Sequence, residues 1–125
     1  MTENELATIV VDICYTLHRK YGPGLFETVY EEMICHELKK RDIPFQRQYA
    51  FKVVHDGLDM GIGFRIDILI DEKLVLELKS TEALAEVHHK QVITYLRLTG
   101  LKLGLLINFK VPLIKDGIHR VVNRL

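Results

Sequence analysis

The chain has 125 residues, near the commonest size for one domain. With 48% hydrophobic and 27% charged residues it suits a globular protein with one good core, and it excludes a disordered or low-complexity chain. Its 17 basic and 17 acidic side chains cancel, which argues against gripping nucleic acid by bulk charge alone; no apolar run nears the roughly 20 residues that cross a bilayer.

In chain order, Leu6, Ile9, Val10, Ile13, Cys14, Leu17 and Tyr21 recur at helical spacing, and Thr2 followed by Glu5 fits a capping box. A first helix is expected from about Glu3 to Lys20. Gly22-Pro23-Gly24 breaks it. A second helix is expected from about Leu25 to Arg41, with Leu25, Val29, Met33 and Leu38 as its apolar stripe, and Pro44 stops it. The period then changes to two. Phe45, Tyr49, Phe51 and Val53 mark one strand, and Asp56-Gly57 a turn. Ile62, Phe64, Ile66, Ile68 and Ile70 mark a second strand, and Leu74, Leu76 and Leu78 a third. Helical period returns from about Glu82 to Leu98, with Leu84, Val87, Gln91, Tyr95 and Leu98 near one face and Gly100 as its stop. Leu103, Leu105, Leu106, Ile107 and Phe109 make a nearly continuous apolar strand of the kind buried on both faces, and Asp116-Gly117 turns into a last strand, Ile118 to Val122. The fold class is α/β: a mixed central β-sheet flanked by helices, in the order ααβββαββ. With no linker, the whole of 1–125 is read as one domain.

The second and third strands carry the chemistry. Setting Ile66, Ile68 and Ile70 on the same sheet face as Leu74, Leu76 and Leu78 pairs Ile70 with Leu74, Ile68 with Leu76 and Ile66 with Leu78. That register needs an odd loop, most simply Asp71-Glu72-Lys73. On the opposite face Asp67 then lies across from Glu77, with Lys79 about 7 Å further along. Two carboxylates so placed repel unless something positive lies between them, and a hard divalent cation resolves the conflict. The competing reading is a solvated charge triad. Leu69 and Val75 beside these charges favour a half-buried face instead.

Asp67 followed by Glu77-Leu78-Lys79 on adjacent strands resembles the PD-(D/E)xK nuclease superfamily. Upstream, Gly24-Leu25-Phe26-Glu27-Thr28-Val29-Tyr30 resembles the GxxExxY pattern of one small family within it. Downstream, Gln91-Val92-Ile93-Thr94-Tyr95 is similar to the QxxxY helix of the RecB-like branch. The resemblance runs from about Tyr21 to Phe109 and departs at Ile66, where the superfamily places proline. It implies a restriction-endonuclease-like core and a Mg²⁺-dependent nuclease, with Mn²⁺ as substitute. Asp67, Glu77 and the Leu78 backbone carbonyl would hold the metal, with Glu27 as a third acidic ligand or reaching it through water. Lys79 would position the attacking water or stabilise developing charge, and Gln91, Tyr95 and Tyr30 would contact substrate.

Other residues carry less. His88 and His89 are consecutive on a helix and point about 100° apart, so they cannot chelate one ion. Lys39, Lys40, Arg41 and Arg47 read as a solvated face. Cys14 and Cys35 match no metal or disulfide pattern and point to a reducing compartment, most simply the cytoplasm. The expected partner is nucleic acid, DNA first, in repair, recombination or defence. No membrane is expected, and a homodimer would enlarge the surface that holds a duplex. The alternatives are a non-catalytic nucleic-acid- or protein-binding module on the same fold and, more remotely, a hydrolase of small phosphoesters.

Overall fold

The structure is a computed structural model and describes residues 1–125. Helix α1 spans Glu3–Tyr21 and α2 Glu27–Lys40. Strands β1 (Phe45–His55), β2 (Leu58–Ile70) and β3 (Leu74–Lys79) follow. Helix α3 (Glu86–Thr99) then leads to β4 (Leu103–Asn108), a short 3₁₀ turn (Ile114–Asp116) and β5 (Ile118–Val122). The strands form one sheet in the order β1-β2-β3-β4-β5, antiparallel except for the β3–β4 pair. That parallel pair needs a crossover, and α3 supplies it. No helix is long and apolar enough to cross a membrane.

The caps work as the sequence suggests. The Glu5 N–H donates to Thr2 Oγ1 at 3.1 Å while the Thr2 N–H donates to Glu5 Oε1 at 3.0 Å, and Gly100 closes α3 in the left-handed region at φ 76°. The helix stripes need correction. In α2 the buried side chains are Tyr30, Glu31, Ile34, Cys35 and Leu38, while Val29 is exposed. In α3 they are Val92, Tyr95 and Leu96, while Val87 and Leu98 are exposed. Helix α3 also begins four residues later than expected. The segment before it is held by the buried Asn108, whose Oδ1 accepts the Thr81 N–H (3.1 Å) and whose Nδ2 donates to the Thr81 carbonyl (3.0 Å).

Helices α1 and α2 lie on one face of the sheet over Ile68, Ile70, Leu76, Leu105 and Ile107. Helix α3 lies on the other over Leu69 and Val75. Its close seat depends on Gly104, where an added Cβ would come within 2.7 Å of Val92 Cγ1. Beyond α3, β1 and β2 run on as a projecting two-stranded arm to the Asp56-Gly57 turn. Both turn residues have positive φ (52° and 74°), which closes the hairpin tightly, so the strands run right up to it instead of ending near Val53 and Ile62.

Candidate active site

The loop Asp71-Glu72-Lys73 closes β2 on β3. Asp71 and Glu72 both have positive φ (49° and 54°), and the Lys73 N–H donates to the Ile70 carbonyl at 2.9 Å. The register is the expected one at Ile70–Leu74, Leu69–Val75 and Ile68–Leu76. There it stops. The anticipated Ile66–Leu78 pair does not form, because the two carboxylates enter the ladder. The Asp67 N–H donates to Glu77 Oε1 (3.1 Å), and the Leu78 N–H donates to Asp67 Oδ2 (2.8 Å). Each acid thus takes an amide of the opposite strand, and the strands diverge around them.

The alternation of β2 breaks at the same place. Ile66 packs with Leu69, Val75 and Tyr95 on the α3 side, opposite to Ile68 and Ile70. On β1, Arg47 pairs with Ile68 and Tyr49 with Ile66, and the intervening Gln48 has a φ of 49°. A left-handed residue in mid-strand redirects its neighbours, as in a bulge. Arg47 and Gln48, consecutive in sequence, therefore both reach Glu31 of α2. Arg47 Nη2 meets Glu31 Oε2 at 2.7 Å, and Gln48 Nε2 donates to Glu31 Oε1 at 2.8 Å. Arg47 also pairs with Glu32, so it belongs to this network rather than to a solvated basic face.

Burial dominates the electrostatics. Glu77 is 5% exposed. Its carboxyl is pushed up to about 8, first by desolvation and then by the charge of Asp67. The Asp67 carboxyl is also raised, by burial first, against the Leu78 amide that favours its charged form; Glu31 adds a further upward push and Lys79 a downward one. Lys79 is half-buried beside the pair and forms no ion pair of its own. Two adjacent, partly dehydrated carboxyls that resist joint ionisation, with an ammonium nearby, suit a hard divalent cation that keeps several waters.

The remaining expected residues divide. Glu27 starts α2, half-buried and without a hydrogen-bond partner, and no three acidic, histidine or cysteine side chains converge as a ready-made cage. Tyr30 has no exposed surface. Its ring stacks on Phe109 (3.9 Å between centroids) and its hydroxyl donates to the Gly22 carbonyl, so packing replaces the expected substrate contact. Tyr95 accepts a hydrogen bond from Gln91 Nε2 at 2.8 Å; burial raises its hydroxyl pKa and the charges of Glu77 and Asp67 raise it further, so Tyr95 lies within electrostatic reach of the carboxyls. Glu31 and Asn108 were not singled out in the sequence. Asn108 pairs with Lys79 in the β3–β4 register and fixes the turn that follows it.

A family model for the PD-(D/E)XK nuclease superfamily matches residues 4–121. The chain belongs to the PD-(D/E)XK nuclease superfamily. No curated protein and no solved structure matches it.

Proposed function

We propose that this PD-(D/E)XK chain is a nuclease that hydrolyses phosphodiester bonds of DNA with Mg²⁺, or Mn²⁺ in its place. The observation that carries the reading is the Asp67–Glu77 pair: one half-buried and one buried carboxyl inserted into the strand ladder, with Lys79 two residues on. These acids would hold the ion together with the Leu78 carbonyl and waters, and Glu27 would act through water. The ion's chemistry is to polarise a phosphate oxygen and lower the pKa of a bound water. Lys79 would stabilise the charge that develops on the phosphate. Gln91 and Tyr95 would contact the substrate backbone. The Tyr95 hydroxyl accepts from Gln91, which leaves its own proton free to donate.

Further assignments belong to the same reading. The Gly24–Tyr30 segment supports placement in the GxxExxY family, with its tyrosine in a structural role, and Gln91 and Tyr95 support the RecB-like branch. Residues 1–125 are read as one domain because both core clusters rest on a single sheet. Two free, buried thiols suit a reducing compartment such as the cytoplasm. Pairing of two copies would extend the surface for a duplex. A second reading is a non-catalytic binding module on the same fold.

The deciding experiment is incubation with labelled single- and double-stranded DNA and RNA, in Mg²⁺, in Mn²⁺ and in chelator. The nuclease reading requires cleavage that chelator abolishes and that Asp67→Asn and Lys79→Met remove. Wild-type protein that binds nucleic acid equally well in chelator and never cuts would establish the binding module.

A further inference from the structure

Beside the carboxyl pair, a groove of about 340 Å³ runs between the β1–β2 arm and α3, with Phe64, Val87, His88, Lys90, Gln91 and Tyr95 in its walls. Phe64 is 39% exposed, an unusual state for a ring next to a buried site. It is not loose. Its centroid lies 6.0 Å from that of Phe51 and 5.5 Å from that of Tyr95, and Phe51 meets Tyr95 edge-on at 5.6 Å. Three rings therefore form a fixed ledge, with Phe64 outermost. The arm beyond carries two more exposed apolar side chains, Ile62 and Met60, at 65% and 42%. The ledge is continuous with the carboxyl pair through Tyr95, and Phe64 lies three residues from Asp67, about 10 Å along β2.

The charges around it are selective. Lys52 and Lys90 are matched by Asp59 and Glu86. Arg65, exposed next to Phe64, and Lys79, beside the carboxyls, have no acidic partner within ion-pair distance. Arg65, one residue from Phe64, leaves the strand on the opposite face, so Lys79 is the free cation on the side of the ledge, on a chain whose net charge is zero. Duplex binding rests mainly on phosphate neutralisation by many cations, which this surface lacks. Single strands bind instead by stacking bases on aromatic faces, with a few cations following the backbone. A paired base inside a duplex cannot offer its face to such a ring.

We propose that the groove docks an unpaired nucleotide, its base stacked on Phe64 and its adjacent phosphate on Lys79, so that the chain selects single-stranded or unpaired segments over intact duplex. Cleavage of that strand rests on the nuclease reading; the docking itself does not.

The test uses the full chain and fluorescently labelled oligodeoxythymidylate, beside a blunt duplex of equal length, read by anisotropy in chelator and again in Mg²⁺ with Asp67→Asn to prevent cutting. The single strand should bind several-fold tighter than the duplex. Phe64→Leu, which keeps the apolar packing, should weaken single-strand binding about tenfold, and Phe64→Trp should restore it. Asp67→Asn should retain the preference even if wild-type protein proves to have no cleavage activity, which separates the two proposals. Equal or tighter duplex binding would overturn the docking, as would full single-strand affinity in Phe64→Leu. So would sedimentation as a dimer that Ile62→Ser and Phe64→Leu dissociate, together with no oligonucleotide binding, because the arm would then be a self-association surface.

Discussion

The two faces of the sheet bury apolar surface very unequally. Under α1 and α2, 21 buried residues form one continuous cluster; under α3 the cluster has 5, two of which, Ile66 and Tyr95, flank the carboxyls. The thick side pairs strand aliphatics with helix aliphatics and holds most of the apolar surface removed from water. The thin side is aromatic, half-open and next to the charges. Burial drives folding roughly in proportion to apolar area. The division therefore lets the chain keep its stability on one face while leaving the other irregular enough for β2 and β3 to separate. It also explains why the deepest departures from regular structure, at Gln48 and Asp67, occur where they cost least in core packing.

That contrast can be tested from its strongest consequence downward. Leu76→Ala opens a cavity in the thick cluster and should cost about 2–5 kcal/mol in urea denaturation. A loss below about 1 kcal/mol would show that the two faces share the load. Lys79→Met should leave the denaturation midpoint nearly unchanged while lowering the single-turnover cleavage rate roughly 10²–10³-fold, the scale of removing one preorganised electrostatic partner. A fall in stability of similar weight would make Lys79 a structural residue.

The third test concerns pH in chelator. The Glu77 carboxyl sits at about 8 in the folded chain, above its ordinary 4.5. The folded state therefore holds a proton that the unfolded chain releases, and stability should fall as pH rises from about 5 to about 8. Glu77→Gln keeps an acceptor for the Asp67 amide and removes the charge. It should flatten that slope and leave the protein more stable than wild type at pH 8, whereas Glu77→Ala would strand the amide. A slope unchanged in Glu77→Gln would place its origin elsewhere. The smallest effect is on the thin side itself. Tyr95→Phe deletes one hydrogen bond with Gln91 and should cost only about 0.5–1.5 kcal/mol, while weakening substrate binding.

Much of this was legible in the residues. Strict alternation in Ile68–Ile70 and Leu74–Leu76 dictated the register and the odd loop, and with them the meeting of Asp67 and Glu77. The pattern misled at Ile66, because apolar alternation reports a face only while the backbone stays regular, and the φ of Gln48 cannot be read from a polar residue in a strand. The helix stripes held at Leu38 and Tyr95 but failed at Val29 and Val87, which are as apolar as their buried neighbours; only the position of the sheet chooses between them. Glu31 was hidden because its partners come from two consecutive strand residues that a regular strand would send to opposite sides.

The crossed hydrogen bonds at the opening have one more consequence. The amides of Asp67 and Leu78 belong to the backbone, yet their acceptors are the two carboxyls proposed to hold the ion. A cation bound by these carboxyls draws electron density from their oxygens and so changes the environment of both N–H groups. These two N–H groups are thus built-in reporters, whose NMR shifts and solvent-exchange rates would register occupancy of the site directly, before any substrate is added and without a label.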